Sequence, residues 1–231
     1  MGKNKLARFA ENKILPNVFQ PTREEALNQH PLKGKWRSEV FKNNNPLVLE
    51  LGCGKGEYSV GLAKAFPEKN FIGIDIKGAR FWFGAKEAHE KNMKNVAFLR
   101  TQVELADCFF DEGEVDEIWI TFPDPQIKYR RTKHRMTHPD FLERYRKFLK
   151  KDGVIHLKTD SEFLHGYTLG LLQGLGHEII SAHHDIYGAP EYEPGTPLLR
   201  DIRTYYEGLF SAKGKTITYI KFRLKEEEYI R

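Results

Sequence analysis

From Pro46 onward, short apolar runs alternate along the chain with longer amphipathic stretches. The runs typical of strands are residues 47–51, 71–76, 96–100, 115–122 and 154–159. The stretches with helical spacing of apolar positions are residues 57–66, 78–91, 138–150 and 161–175. Alternation of strands and helices predicts a parallel sheet with helices on both faces.

The pattern changes at both ends of the chain. Residues 178–185 and 216–224 are strand-like, which predicts a hairpin-like finish to the parallel sheet with an antiparallel C-terminal strand. The predicted fold class is therefore α/β: a Rossmann-like, mostly parallel, doubly wound sheet. Residues 1–45 carry turn signals but no sustained apolar period, and are predicted to form a basic N-terminal arm. Residues 46–224 form the predicted domain, and residues 225–231 a frayed acidic tail.

Composition narrows the class of protein. The 231 residues suit one globular domain, and two cysteines, Cys53 and Cys108, exclude a disulfide scaffold. The N-terminus lacks the apolar stretch of a signal peptide, and no apolar run approaches the roughly 18 residues that span a bilayer. We expect a cytoplasmic protein that binds neither a membrane nor a metal ion. The sequence does not determine the oligomeric state.

Positive charge is concentrated in one short segment. The chain has 37 Lys+Arg against 32 Asp+Glu, a formal charge of +5. Residues 128–135 hold five of these cations together with His134. A solvated basic face is the common explanation of such a run. Because like charges in so short a segment repel one another, a phosphate backbone would stabilise them, which favours a polyanionic partner.

A glycine-rich turn follows the first strand of the domain. Gly52, Gly54 and Gly56 follow Glu50, and Asp75 closes the next strand ~20 residues later. This is the sequence spacing at which a carboxylate binds the ribose diol of a nucleotide held at such a turn. A dinucleotide is disfavoured because Glu57 stands where its fingerprint needs glycine, and acids repel a pyrophosphate. The same acids suit S-adenosylmethionine, which is cationic and lacks phosphate. An ordinary tight turn is the alternative.

The fourth strand of the domain runs into two prolines that bracket one acid. Pro123 and Pro125 restrict the backbone, so Asp124 is predicted to stand at the carboxyl edge of the sheet, where ligands bind in open α/β folds. A stiff connection with Asp124 in solvent is the alternative. With the basic segment directly after it, this loop is predicted to face the substrate.

Taken together, four motifs resemble the bacterial tRNA (guanine-N7)-methyltransferases over residues 46–224. They are ELGCGKG at 50–56, FPDP at 122–125 with the basic run, KTD at 158–160 and TYYE at 204–207. The resemblance implies a class I methyltransferase fold, S-adenosylmethionine as cofactor and tRNA as partner. It implies transfer of a methyl group to N7 of a guanine, usually at position 46 of the variable loop.

The resemblance also assigns site residues. Asp124 is the implied catalytic residue. Cofactor contacts are implied for Glu50, Gly52, Gly54, Asp75, Gln102 and Asp124. Substrate contacts are implied for Lys128, Asp160, Thr204, Tyr205, Tyr206 and Glu207. RNA contacts are implied for Arg130, Arg131, Thr132, Lys133, His134 and Arg135.

Local alternatives exist for two of these sets. Asp160 precedes an amphipathic run and could cap its helix, and Thr204 with Glu207 fits a capping box. The chain also departs from the family, which usually has Trp-Pro at 126–127 where this chain has Gln-Ile, and an acid where it has Gln102.

Two other functions compete with the leading one. They are an RNA-binding module that keeps the fold without turnover, and a methyltransferase acting on a small molecule. The acids retained in the motifs disfavour the first and the basic run disfavours the second.

Overall fold

A computed structural model describes residues 2–28, 30–188 and 199–226. Among these residues, no helix is both long and apolar enough to cross a membrane. The strands are β1 Val18–Phe19, β2 Leu47–Leu51, β3 Asn70–Ile74, β4 Val96–Leu99, β5 Val115–Thr121, β6 Leu149–Thr159, β7 Glu178–His183 and β8 Thr218–Arg223. The α-helices are α1 Gly2–Asn12, α2 Arg23–Leu27, α3 Glu57–Ala65, α4 Gly78–Glu90, α5 Pro139–Arg146, α6 Glu162–Leu175 and α7 Tyr205–Ser211. The described residues also form a π-helix, Trp36–Phe41, and two 3₁₀ helices, Val103–Cys108 and Tyr129–His134.

The strands form one sheet in the order β1-β4-β3-β2-β5-β6-β8-β7. Neighbours from β1 to β6 pair in parallel, whereas β8 lies antiparallel between β6 and β7. The predicted fold class is confirmed: a mostly parallel, doubly wound α/β sheet with an antiparallel C-terminal strand. Because β2 to β6 run the same way, the loops that follow them meet at one carboxyl edge.

Two apolar layers hold the sheet. Leu49, Ile72 and Ile118 lie on one face, and Val48, Phe71 and Trp119 on the other, as the alternation of side chains along a strand requires. All five residues of β2 are buried. The central strand is therefore covered on both sides, which explains its continuous apolar sequence.

One predicted boundary is wrong. The helix expected over residues 138–150 ends at Arg146, and β6 begins at Leu149 instead of residue 154. Leu149 pairs with Val115, and both side chains are buried there. The register then shifts, and Val154 pairs with Glu117. Pairing in the sheet thus ends the helix earlier than its apolar spacing indicated.

The segment predicted as an arm packs against the domain. Trp36 is fully buried and donates its indole N–H to the Phe109 carbonyl at 2.9 Å. In α1, Asn12 donates to the Gly78 carbonyl at 2.9 Å, and Glu11 accepts from Trp82 at 2.8 Å. These anchors are single residues at irregular spacing, so they leave no periodic signal. The division of the chain at residue 46 stays a prediction, and residues 227–231 of the predicted tail lie outside the described residues.

Candidate active site

The glycine turn has the backbone that its sequence predicted. Gly52, Gly54 and Gly56 have φ angles of +76°, +56° and +77°, in the left-handed region that favours glycine. A Cβ on Gly56 would lie 2.5 Å from the Phe98 ring, whereas a Cβ on Gly54 would meet no atom within 4 Å. Gly56 is therefore required for packing, and Gly54 leaves open space above its backbone.

Glu50 is buried beneath this turn. One carboxylate oxygen accepts from the Ser59 amide at 2.8 Å and the Ser59 hydroxyl at 2.5 Å, and the other accepts from Thr121 Oγ1 at 2.6 Å. Burial raises the pKa of Glu50 to about 7, although the three hydrogen bonds act in the opposite direction. Glu50 thus places a group that titrates near neutrality under the turn, already hydrogen-bonded within the protein.

Asp75 follows β3 beside the same turn. Its two carboxylate oxygens accept from the amides of Gly54 at 3.0 Å and Lys77 at 2.8 Å. The side chain is half-buried, and each oxygen keeps a second lone pair. Asp75 is consequently fixed at the turn and able to accept hydrogens from a ligand.

Gln102 lies farther along the edge, after β4. It is exposed, and its Oε1 accepts from Arg23 at 3.3 Å. A surface depression of about 290 Å³ is bordered by Gln102, Thr101 and Ile76. Ile76 is 45% exposed, so an apolar side chain faces this depression from the Asp75 side.

The FPDP loop that carries Asp124 has an unusual backbone at both ends. Phe122 and Gln126 have φ angles of +48° and +47°, which residues with a side chain rarely adopt. Asp124 is exposed and its Oδ1 accepts from the Gln126 amide at 3.0 Å. Phe122 is held by its amide, which donates to the Lys158 carbonyl at 2.8 Å. The loop is thereby held in one conformation with its carboxylate outward.

The basic segment divides into exposed residues and one buried residue. The exposed residues are Lys128, Tyr129, Arg130, Arg131, Lys133 and His134, and Thr132 is half-buried. Asp124, Lys128, Arg130 and Arg131 border a depression of about 310 Å³. Lys128, a predicted substrate residue, and Arg130 and Arg131, two of the predicted RNA residues, therefore share a surface with Asp124.

Arg135 is the exception among the predicted RNA contacts. It is 5% exposed and donates to the Gln126 carbonyl at 3.2 and 3.3 Å. Its guanidinium also lies over the rings of Phe163 at 4.8 Å and Tyr167 at 4.3 Å. Burial argues against direct RNA contact, and these bonds show instead that Arg135 supports the FPDP loop.

Asp160 follows β6 at the same edge. The side chain is 14% exposed and pairs with Lys215 at 2.7 Å. The alternative role for Asp160, capping of α6, is wrong, because Ser161 caps this helix by accepting from the Leu164 amide at 3.2 Å. The charged partner of Asp160 in the structure is Lys215, and Asp160 takes no part in capping α6.

Thr204 and Glu207 form the capping box that their spacing predicted. Glu207 N donates to Thr204 Oγ1 at 3.1 Å, and Thr204 N donates to Glu207 Oε2 at 3.4 Å. Next to the cap, the Tyr205 amide donates to Glu57 Oε2 at 3.0 Å, and Lys55 Nζ lies 3.7 Å from the centre of the Tyr205 ring. The start of α7 is therefore attached to the glycine turn. The side chain of Tyr206 lies outside the described part of the chain.

Glu207 itself is fully buried, which its prediction as a substrate contact did not anticipate. Its oxygens lie 2.8 and 2.9 Å from Lys158 Nζ, and Oε1 also accepts from Tyr187 at 2.6 Å. Burial lowers the pKa of Lys158 and raises the pKa of Tyr187. Neither Lys158 nor Tyr187 was predicted from the sequence as a site residue. Two signals for Lys158 were available in the sequence: it lies in the apolar run of residues 154–159, and it begins the KTD motif.

A larger depression, of about 1150 Å³, lies at the opposite edge of the sheet, where β5 and β6 begin. It is lined by side chains of both charges, and it borders Glu226, the last residue described before the C-terminus. The predicted site residues lie elsewhere. Across the described ranges, no group of three His, Cys, Asp or Glu side chains could hold a metal ion.

The chain has the fold of the class I methyltransferases. A family model for methyltransferases, Methyltransf_4, matches residues 44–219. The chain resembles the solved 16S rRNA methyltransferase KamB, with a TM-score of 0.60 at 10% identity over 81% of this chain and 92% of that one. A 16S rRNA (adenine(1408)-N(1))-methyltransferase of Catenulisporales acidiphilia gives a TM-score of 0.58 at 15% identity, over 84% and 93%.

Sequence relatives narrow the class to a family. A tRNA (guanine-N(7)-)-methyltransferase of Christiangramia forsetii is 63% identical over 96% of this chain and 99% of the relative. One of Bacteroides fragilis is 51% identical over 100% and 90%. The chain belongs to the tRNA (guanine-N7-)-methyltransferase family, as the resemblance of its motifs implied.

Proposed function

We propose that the protein transfers a methyl group from S-adenosylmethionine to N7 of a guanine in tRNA, at position 46 of the variable loop. The observation that carries the proposal is the meeting of an acid-lined glycine turn and an exposed cationic 3₁₀ helix at one edge of the sheet. The relatives named above support the tRNA and the target atom. We expect the protein to act in the cytoplasm, where tRNA is modified.

The residues at the glycine turn fit the proposed cofactor. The space above Gly54 is open to a ligand that packs against the backbone. The carboxylates of Glu50 and Asp75 favour a ligand that carries positive charge and no phosphate. Asp75 would accept from the ribose hydroxyls, Gln102 and Ile76 would border the adenine, and Glu50 would act through its charge.

When bound, S-adenosylmethionine supplies an electrophilic methyl group on a cationic sulfur. Guanine N7 has an in-plane lone pair and no proton, so the protein needs to align it more than to deprotonate it. Alignment of this kind can contribute on the order of 7 kcal/mol or more. Asp124 is suited to accept hydrogens from the N1–H and amino group of the base, and its charge would stabilise the positive purine that forms.

The exposed cations would deliver the tRNA. Lys128, Arg130 and Arg131 border the depression beside Asp124, so they could bind phosphates flanking the target nucleotide. Lys133 and His134 extend the surface, and Thr132 could donate a hydroxyl. Asp160, Thr204 and Tyr205 lie at the ends of β6 and α7, and we propose that they face the substrate.

Methyl-labelled cofactor and an unmodified tRNA transcript test this function. The label should appear as 7-methylguanine and disappear when guanosine 46 is replaced by adenosine. Binding of tRNA without transfer would favour the RNA-binding module. Transfer that needs no RNA would favour the small-molecule enzyme.

Two substitutions of Asp124 separate its charge from its support of the loop. Asp124→Asn keeps an oxygen for the Gln126 amide, whereas Asp124→Ala removes it. Both should abolish turnover while leaving the unfolding temperature within a few degrees of wild type, because Asp124 is exposed. A near-normal rate for Asp124→Asn would show that its charge is dispensable.

A further inference from the structure

The Lys158 ammonium donates its hydrogen bonds to one segment of the chain. The acceptors are the carbonyls of Leu199 at 2.5 Å and Ile202 at 3.3 Å, and Glu207 at 2.9 Å. The side chains of Lys158 and Glu207 are each fully buried. Since an ammonium has three N–H donors, this side chain is committed to residues 199–207, the segment that leads into α7.

The main chain of Lys158 binds the FPDP loop, on the other side of the site from α7. Its carbonyl accepts from the amide of Phe122, the first residue of the FPDP loop. The Phe122 ring lies 6.3 Å from the Phe210 ring of α7. Lys158 therefore lies between the loop that presents Asp124 and the helix that begins at Tyr205, and it contacts both.

Glu207 has little capacity left for a base. Both of its oxygens contact Lys158, Oε1 also accepts from Tyr187, and Oε2 also accepts from the Thr204 amide. A carboxylate that touched guanine would have to leave this cluster and strand a buried ammonium, which is costly. The burial of Glu207 thus favours a role in which it holds α7.

We propose that Lys158 is a positioning residue: through Glu207 it fixes the start of α7, with Thr204 and Tyr205, against the FPDP loop, and Glu207 does not contact guanine. This inference rests on the proposed function, because it concerns the same reaction. It assigns an indirect role to an acid that the family motif suggests as a substrate contact.

Lys158→Met removes the ammonium and keeps the length of the side chain. The value of kcat should fall, by up to about 100-fold where positioning is lost. The KM for tRNA and the Kd for S-adenosylmethionine should stay within a few-fold of wild type, because their proposed contacts remain. Wild-type kcat in this variant would overturn the inference.

Lys69→Met is the matched control. Lys69 pairs with Glu117 at 2.8 Å and is partly buried, but it precedes β3 at the opposite edge of the sheet. It should change the unfolding temperature and leave kcat unchanged. An equal fall in kcat in both variants would mean that general stability, and not position, explains the effect.

A combined variant, Lys158→Met/Glu207→Met, tests whether the two residues act as a unit. Removing both charges leaves neither one buried alone, so it should unfold at a higher temperature than either single variant. Its kcat should resemble that of Lys158→Met. Effects on kcat that multiply would indicate a separate role for Glu207 and contradict the inference.

A substrate change tests contact with the base directly. Inosine in place of the target guanosine lacks the amino group that a carboxylate would bind, and the ratio of rates on the two tRNAs should be the same in wild type and in the combined variant. If the ratio approaches one only in the variant, Glu207 contacts the base and the inference fails. Should the combined variant not fold, Glu207→Gln serves for the same comparison. If wild type methylates neither tRNA, the proposed function fails instead.

Discussion

Replacing Glu50 by glutamine should change the dependence of stability on pH. The pKa of Glu50 rises from the usual 4.5 to about 7 in the folded protein because the carboxyl group is buried. The folded state therefore keeps a proton that the unfolded state releases between these values. Since the folded pKa is the higher one, this group's contribution to stability is complete below pH 4.5 and is lost as pH rises through 7.

The magnitude follows from the two pKa values. A pKa that moves from 4.5 to about 7 corresponds to about 3 kcal/mol in the free energy of unfolding, at roughly 1.4 kcal/mol per pKa unit. Glu50→Gln abolishes this component but keeps an oxygen for the Ser59 amide and can donate to Thr121 Oγ1. The measured quantity is the free energy of unfolding of wild type minus that of Glu50→Gln. We expect this difference to fall by about 3 kcal/mol as the pH rises from about 4.5 to 8.

Urea unfolding of both proteins at half-unit steps of pH measures this difference. The histidines and the other acids titrate in both proteins, so the subtraction removes them to first order. The cofactor is left out, because a cationic ligand beside Glu50 would lower its pKa. Parallel stability curves across this range of pH would refute the reasoning and show that Glu50 is ionised throughout it.

Two further predictions follow from the site. Gly54→Ala should weaken binding of S-adenosylmethionine in calorimetry while costing only about 1 kcal/mol of stability. Gly56→Ala should destabilise the fold by several kcal/mol in urea unfolding, since its Cβ would overlap the Phe98 ring. Equal free energies of unfolding in the two variants would contradict the contact between Gly56 and Phe98. The double variant Arg130→Ala/Arg131→Ala should weaken tRNA binding. It should also reduce the slope of log binding constant against log salt concentration by about one for each phosphate that is no longer bound. Arg135→Met should lower kcat and leave this slope unchanged. If Arg135→Met reduced this slope as much as the double variant does, Arg135 would contact the RNA directly.

Local spacing determined much of this protein. Strand and helix alternation predicted the parallel sheet, and the spacing of Thr204 and Glu207 predicted their capping box. Glycine positions predicted the turn after β2, because only glycine readily adopts its left-handed backbone. These features depend on neighbours in the chain, which the sequence displays directly.

The tertiary structure alone decided which charged side chains are exposed. Arg131 and Arg135 belong to one basic run, yet the first is exposed and the second lies under the FPDP loop. Glu207 could equally have faced a substrate, but Lys158, 49 positions earlier, binds it in the interior. Burial and ion pairing depend on contacts between segments distant in sequence, so the order of residues specified the chemical groups of the site while packing determined which of them can reach a ligand.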